Sequence, residues 1–162
     1  MSKRLRSGFT TGACAAAAAK AAALVLMEGR YPEEIAIPFP DGSRRSFKVH
    51  SCSGGEGGAT ASVIKDAGDD PDVTNGAEII ATVNSGRKRL GTGNCVLLGN
   101  IRLCRGEGVG QVSKPGLAVA VGEPAINPVP RQMICEAVRE VTDREKLTVI
   151  ISVVGGEELA EK

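Results

Sequence analysis

The chain has 162 residues, of which 42% are hydrophobic and 24% are charged, as is typical of one globular domain with a core of ordinary size. Its 20 basic and 19 acidic side chains leave a net charge of +1, so no overall field attracts nucleic acid or an anionic membrane. Aromatic residues make up 2% of the chain, too few for the stacking platforms that single-stranded nucleic acid binders use. We therefore expect a protein that binds neither nucleic acid nor a membrane.

The first predicted element is a helix over about residues 12–28. Its Ala-rich sequence favours a helix, Thr10 or Thr11 can cap its start, and Gly29 can end it. The basic residues before this run imitate a signal peptide, but Lys20 interrupts the run and its strongly apolar part is too short for a membrane span. We interpret the segment as a helix of a cytoplasmic protein that packs closely against a sheet.

Short apolar segments between turn residues predict a series of strands. Residues 35–39 and 45–49 alternate around Pro40-Asp41-Gly42, which predicts a hairpin with Pro38 in an edge strand. The Gly-rich residues 53–58 are read as a flexible loop. The other predicted strands are residues 60–64, 77–83, 96–103, 117–121 and 147–154, the last of which is wholly apolar and therefore expected at the centre of its sheet.

A second helix is predicted from about Pro128 to Val141, because Asn127-Pro128 has the pattern of an N-cap followed by proline at the first helical position. Strands outnumber helices and hairpins are frequent. These features predict an α+β fold, in which a mainly antiparallel or mixed sheet packs against the Ala-rich N-terminal helix and the second helix.

The five cysteines are odd in number, widely spaced and without a Cys-x-x-Cys pair. This pattern favours buried thiols in a reducing cytoplasm over disulfides or a structural zinc site. His50 is the single histidine, and Cys52 follows two residues later. The pair has the spacing of half a metal site, but the sequence shows no second half, so we expect a surface histidine and no resident metal.

The most unusual stretch of the sequence is the acidic segment at residues 65–72. Gly68 and Pro71 exclude a continuous helix here, which makes it a shaped loop. Crowded carboxylates repel one another, so either solvent screens them or a partner uses them, and a solvated turn is the alternative. Within eight residues the stretch contains Lys65 and four carboxylates, Asp66, Asp69, Asp70 and Asp72, without the register of a calcium loop.

Gly106-Glu-Gly-Val-Gly110 after a strand has the spacing of the Gly-rich turn in Rossmann nucleotide-binding units. That turn works only where a helix follows at once and presents its amides to the ligand. Pro115 and Gly116 break any such helix. We therefore predict that the fold is not a Rossmann domain and that this segment is a ligand loop or a hairpin turn.

Two helix starts are candidate anion sites. Thr10 and Thr11 offer hydroxyls beside free amides at the start of the Ala-rich helix, although capping alone needs one threonine. Asn127 and Arg131 mark the start of the second helix, where a guanidinium suits bidentate carboxylate binding and a rigid capped turn is the alternative.

Five ordered motifs, taken together, resemble the CbiD family of cobalt-precorrin-5B C1-methyltransferases. They cover nearly the whole chain and are residues 8–14, 63–76, 106–110, 114–116 and 123–131. The resemblance implies transfer of a methyl group from S-adenosylmethionine to C1 of a cobalt-containing contracted tetrapyrrole, giving cobalt-precorrin-6A in anaerobic cobalamin biosynthesis. It implies cobalt only as part of the corrin-type substrate and S-adenosylmethionine as the donor. It is compatible with a homo-oligomer and with contacts to neighbouring cobalamin-pathway enzymes.

Under this resemblance the motifs acquire expected roles. Asp66 or Asp69 is expected to be catalytic, by orienting the cationic donor or accepting a proton. The expected cofactor-binding residues are Gly106, Glu107 and Gly108. The expected substrate-binding residues are Thr10, Thr11, Lys65, Asp70, Asn75, Lys114, Asn127 and Arg131.

The resemblance also bears on domain organisation. Residues 1–154 are expected to form a single α+β domain on the substrate side, and residues 155–162 to begin a linker or helix that leads into a second domain absent from this chain. The chain alone is then expected to be inactive. The alternative is a non-catalytic corrinoid-binding or assembly domain.

Overall fold

A computed structural model describes residues 10–65, 76–86, 95–110 and 123–154. The predicted strand at 117–121, the predicted helix start after residue 154 and the acidic residues 66–75 lie outside the described residues. The elements are α1 (Thr11–Glu28), β1 (Glu34–Pro38), β2 (Arg44–Lys48), β3 (Ser51–Gly55), β4 (Gly58–Ile64), β5 (Glu78–Ser85), β6 (Cys95–Leu98), β7 (Ile101–Arg105), α2 (Pro128–Arg139) and β8 (Leu147–Val154).

Six of the described strands form one sheet in the order β3-β4-β5-β8-β7-β6. Every neighbouring pair is antiparallel except β7 and β8, which are parallel because the chain crosses over through α2 between them. β1 and β2 form a separate antiparallel hairpin. The α+β prediction with a mixed, mainly antiparallel sheet is confirmed, the arrangement is not Rossmann-like, and β8 lies inside the sheet as expected.

α1 is the central helix of the fold. Thr10 caps its start, since its Oγ1 accepts a hydrogen bond from Ala13 N at 3.1 Å, and Gly29 ends it with φ of 66°. By length and composition α1 is apolar enough to cross a membrane, but 61% of it is buried inside the fold. Its alanines are buried on nearly all sides, so the helix lies close to β3, β4 and β5 on one side and to α2 on the other.

α2 packs on α1, and its buried residues include Met133, Ile134, Ala137 and Val138. It ends at Arg139, two residues before the predicted end. Arg139 donates to Asn100 Oδ1 at 3.0 Å and to Leu98 O at 2.9 Å, which attaches the end of α2 to the turn between β6 and β7.

Two local predictions are wrong. Residues 96–103 are not one strand, because the chain turns at Gly99, with φ of 64°, between β6 and β7. The Gly-rich residues 53–58 are not a loop, because they lie in β3, a tight turn and the start of β4. Ladder pairing of the backbone outweighs the low strand propensity of glycine there.

The expectation of buried thiols is also wrong for two cysteines. Cys95 and Cys104 lie directly opposite each other in β6 and β7 and form a disulfide. Cys14 and Cys135 are buried and lie outside any disulfide, whereas Cys52 is half-buried. The two cysteines are apart in the sequence but lie opposite each other in the fold, because the β6–β7 turn brings their strands together. That turn was not predicted.

Candidate functional site

Several predicted motifs come together at one end of the six-stranded sheet, which we call the site edge: Lys65, Gly76–Glu78, Val153–Val154 and Gly106–Gly110. Ile64 at the end of β4 lies opposite Glu78, and Glu78 lies opposite Val154. The Gly106–Gly110 turn follows β7 at the same end. Because neighbouring strands are about 4.8 Å apart, the ends of β4 and β7 lie within about 14 Å of each other.

A pocket of about 390 Å³ opens beside the site edge, between the starts of α1 and α2. We call it the helix-start pocket. Three of the predicted site residues, Thr11, Gly108 and Asn127, line it together, although they are far apart in sequence. Its other lining residues are Gly12, Ala15, Val109, Gly110, Ala125, Ile126, Pro130, Ile134, Ile151 and Val153.

The two threonines at the start of α1 have different positions. The hydroxyl of Thr10 is used in capping, through its hydrogen bond to Ala13 N. Thr11 lines the helix-start pocket, together with Gly12 in the first helical turn. Helix geometry leaves the Gly12 amide without an acceptor inside the helix, so this end of α1 favours a negatively charged or acceptor group of a ligand.

The start of α2 offers fewer backbone donors. Asn127 is the N-cap residue, as predicted, but its own side chain makes no capping hydrogen bond. Pro128 and Pro130 have no amide hydrogen, so this helix start is a poorer anion site than that of α1. Asn127 is exposed, and its side-chain amide is therefore the main polar group that α2 contributes to the pocket.

Arg131 folds back onto its own loop. Its Nε donates to Ile126 O at 2.7 Å, and its Nη2 donates to Pro124 O at 3.2 Å and lies 3.1 Å from Glu123 Oε1. These contacts hold the segment before α2 against the helix, and only 13% of the Arg131 side chain is exposed. Its substrate-binding role stays a prediction, and the contacts give it a role in shaping the pocket wall.

The predicted cofactor-binding turn packs tightly on β8. Gly106 N donates to Ile151 O at 2.7 Å, and Val153 N donates to Glu107 O at 2.8 Å. A side chain at Gly106 would collide with Ser152, and one at Gly108, whose φ is 75°, would collide with the carbonyl of Val153. Packing therefore explains these two glycines, while the backbone from Gly108 onwards lines the pocket. Glu107 is exposed and outside the pocket lining.

Lys65 lies at the foot of the acidic segment and is 3% exposed. Lys65 N donates to Ala77 O at 2.9 Å, and Gly76 N donates to Lys65 O at 2.8 Å, so the two ends of the segment are joined. The structure thus places the flanks of the acidic segment at the site edge. Asp66, Asp69, Asp70, Asn75 and Lys114 themselves lie outside the described residues.

A second groove of about 590 Å³ lies at the same end of the sheet, between the β1–β2 hairpin and β4. Exposed His50 and Lys48 line it, together with Phe47, Val49 and Ile64. In the part of the chain that the structure describes, no group of three side chains has the arrangement of a metal site.

The sequence alone did not reveal the apolar wall of the helix-start pocket. Ala15, Ile134, Ile151 and Val153 read as ordinary core residues, since nothing local distinguishes a pocket wall from a core. The sequence contains one weak indication that the two helix starts lie close together. Gly12 is a small residue at a helix start, which permits the close approach of Pro130 at the start of the second helix.

The comparisons with known proteins agree with this fold. The CbiD family model matches residues 1–162. The cobalt-precorrin-5B C(1)-methyltransferases of Desulfotalea psychrophila and Thermus thermophilus are 60% and 56% identical to the chain, over 98% and 99% of its length. The crystal structure of the cobalamin biosynthesis protein CbiD from Archaeoglobus fulgidus superposes with a TM-score of 0.64 at 31% identity, over 98% of this chain and 47% of that one.

The chain spans less than half the length of the relatives that it matches: 43% of the Desulfotalea psychrophila protein and 40% of the Thermus thermophilus protein. The match to the family model nevertheless covers every residue of the chain. With the similarity to the solved CbiD structure, it establishes that this chain belongs to the CbiD family.

Proposed function

We propose that the chain contributes the substrate side of a methyltransferase that methylates C1 of cobalt-precorrin-5B, giving cobalt-precorrin-6A in anaerobic cobalamin biosynthesis. Relatives that are 48–60% identical carry the name of this methyltransferase. The observation that carries the proposal is that Thr11, Gly108 and Asn127 line one pocket at the site edge. Residues expected to hold the substrate and the donor thus meet, as a direct methyl transfer requires.

The chemistry of the site edge suits a corrin-type substrate. Such a macrocycle carries acetate and propionate arms around an apolar ring, so it needs cationic or amide groups for the rim and aliphatic groups for the face. The start of α1 provides amide groups for the rim, and Ile64 and Val154, which are 41% and 47% exposed, provide aliphatic groups for the face. The substrate brings its own cobalt.

The proposed methyl donor is S-adenosylmethionine, whose sulfonium supplies an electrophilic methyl group. The volume of the helix-start pocket lies in the lower part of the range of about 300–1,000 Å³ that small-molecule sites occupy, so the pocket fits a donor better than a whole macrocycle. The protein's part is to align donor and ring carbon and to stabilise charge. Asp66 and Asp69, which follow Lys65 in sequence, are proposed to orient the cationic donor or to accept a proton.

We further propose that residues 1–154 act as one substrate-side domain and that activity needs a second domain, since the relatives are more than twice as long as the matched region. We also propose a cytoplasmic location for the protein. Under this proposal the chain by itself is inactive.

Calorimetry distinguishes catalysis from a purely corrinoid-binding role. Cobalt-precorrin-5B and S-adenosylmethionine are titrated separately into the chain and into the full-length protein. The proposal expects both compounds to bind the full-length protein. In a separate activity assay, Asp66→Asn or Asp69→Asn is expected to slow turnover. Ring binding without donor binding in the full-length protein would favour the non-catalytic alternative, and unchanged turnover in both variants would remove the acidic segment from the mechanism.

A further inference from the structure

The lining of the helix-start pocket has an unusual composition for a site beside a polyanionic substrate. None of the described side chains that line it is charged. Its floor and walls are aliphatic, from Ala15, Ile134, Ile151 and Val153, and its polar groups are the Thr11 hydroxyl, the Asn127 amide and nearby backbone. The pocket therefore favours a neutral group with apolar faces and polar edges.

The carboxylate arms of a macrocycle do not match this lining. Moving a carboxylate from water into an uncharged apolar site costs several kcal/mol unless hydrogen bonds replace its hydration. The start of α1 can compensate one such group, but Pro128 and Pro130 remove the equivalent donors from α2. The arms of the ring thus fit the exposed site edge better than they fit the pocket.

Asn127 has the chemistry to recognise a particular neutral group. Its side-chain amide combines a donor and an acceptor, a pattern that pairs with the N6 amine and N7 of adenine through two hydrogen bonds. It makes no capping hydrogen bond within α2, unlike the side chain of Thr10 at the start of α1. An N-cap asparagine that does not cap its helix is available for a ligand.

Gly110 and Ala125 form a further part of the pocket wall. Gly110 and Ala125 are joined by a hydrogen bond from Ala125 N to Gly110 O at 2.8 Å. Among the residues that the structure describes, a Cβ at Gly110 would meet the Cβ of Ala125 at 3.8 Å, an ordinary contact distance, whereas a Cβ at Gly106 or Gly108 would collide with β8. Of the glycines in this turn, Gly110 is therefore the one at which a side chain would not collide with the described residues.

We propose that the helix-start pocket binds the adenosine moiety of the methyl donor and that Asn127 recognises the adenine edge. This inference rests on the proposed function, because it takes S-adenosylmethionine as the donor. It moves Asn127 from the predicted substrate contacts to the donor contacts. It also assigns the recognition of the donor to α2 and to Gly110, rather than to Gly106 and Glu107.

The test is calorimetric binding of S-adenosylhomocysteine and of its inosine analogue, in which a carbonyl replaces the N6 amine, to the full-length protein. Asn127→Ala is expected to weaken S-adenosylhomocysteine binding about tenfold and to abolish the preference for adenine over hypoxanthine. Gly110→Leu is expected to weaken both ligands by about tenfold or more, because its side chain fills the pocket. Gln132→Ala, on the exposed face of the same helix, is the matched control.

Two results would overturn the inference. One is an unchanged affinity in both Asn127→Ala and Gly110→Leu, and the other is an adenine preference that survives Asn127→Ala. Either result, in a protein that still methylates cobalt-precorrin-5B, leaves the proposed function standing and places the donor elsewhere. If the wild-type protein neither binds S-adenosylhomocysteine nor methylates the ring, the proposed function fails together with the inference.

Discussion

Glu140, directly after α2, joins three parts of the fold, with its Oε1 2.8 Å from Lys20 Nζ. Lys20, the cation within the Ala-rich face of α1, also donates to Ala36 O in β1 at 2.7 Å. Arg44 in β2 donates to both carboxylate oxygens of Glu140, at 2.6 and 3.0 Å. Lys20, the cation within the apolar sequence of α1, is therefore the residue that attaches α1 to the end of α2 and to the hairpin.

This network predicts an acid-sensitive contribution to stability. Hydrogen bonds from Arg44, and then from Lys20, lower the pKa of Glu140 from 4.5 to about 2. Since the native pKa lies below the unfolded one, the contribution is complete above pH 4.5 and is lost as the pH falls towards 2. Glu140→Gln is expected to lose about 1–2 kcal/mol at pH 7, measured by urea unfolding. At pH 2 the variant and the wild type should differ much less, and an equal difference at both pH values would contradict this account.

Substitutions of the two threonines at the start of α1 are expected to have different effects, one on stability and the other on ligand binding. Thr10→Ala removes the cap and should lower the free energy of unfolding by about 1 kcal/mol, without altering ligand affinity. Thr11→Val keeps the shape of the side chain but removes the hydroxyl from the pocket, and should weaken donor or substrate binding. Calorimetry on both variants checks this prediction. A loss of affinity in Thr10→Ala alone would reverse the assignment.

Gly12 is expected to be required for the close approach of the two helix starts. A Cβ there would lie 2.7 Å from Pro130 Cβ and 2.8 Å from Pro130 Cγ. Gly12→Ala should therefore cost about 1–3 kcal/mol through overpacking, measured by denaturant unfolding. Gly110→Ala is the matched control, since its Cβ meets Ala125 only at ordinary contact distance, and it should leave stability nearly unchanged. Equal effects of the two variants would mean that the helices do not pack as described.

The disulfide between Cys95 and Cys104 is expected to stabilise the β6–β7 hairpin. It closes a short segment, with a sequence separation of 9, and chain entropy predicts about 2–3 kcal/mol for a loop of this size. Reduction with dithiothreitol should lower the unfolding midpoint of the wild type but not that of the Cys95→Ser, Cys104→Ser double variant. Thiol titration of the unreduced native protein should detect mainly Cys52, because Cys14 and Cys135 are buried. A midpoint that is insensitive to reduction would show that the pair is not oxidised in solution.

Local sequence patterns were sufficient to predict the elements whose conformation depends mainly on their own residues. The alanines, Thr10 and Gly29 define α1, Asn127-Pro128 defines the start of α2, and alternation defines β1 and β2. Non-local pairing was not predictable. The turn at Gly99 and the strand character of residues 53–58 depend on ladder partners that are distant in sequence, and the disulfide depends on that turn.

In the candidate site, too, the local motifs were predictable from the sequence and their packing against each other was not. Thr11, Gly108 and Asn127 were identified from their motifs, but that they line one pocket follows only from the crossover through α2 and the parallel pairing of β7 with β8. Arg131 was predicted as a ligand from its charge and position. Its contacts with Pro124, Ile126 and Glu123 depend on loop geometry that the sequence does not encode in any short pattern.

The central claim is tested most directly by incubating the full-length protein with cobalt-precorrin-5B and S-adenosylmethionine labelled with carbon-13 in its methyl group, and examining the isolated product by mass spectrometry and NMR. The account predicts one labelled methyl group per ring, attached to C1, and a strongly reduced yield when Gly110→Leu fills the helix-start pocket. A labelled methyl group at another ring carbon, or a ring that carries no label, would contradict the central claim, whereas a full yield from Gly110→Leu would contradict only the placement of the donor in the helix-start pocket.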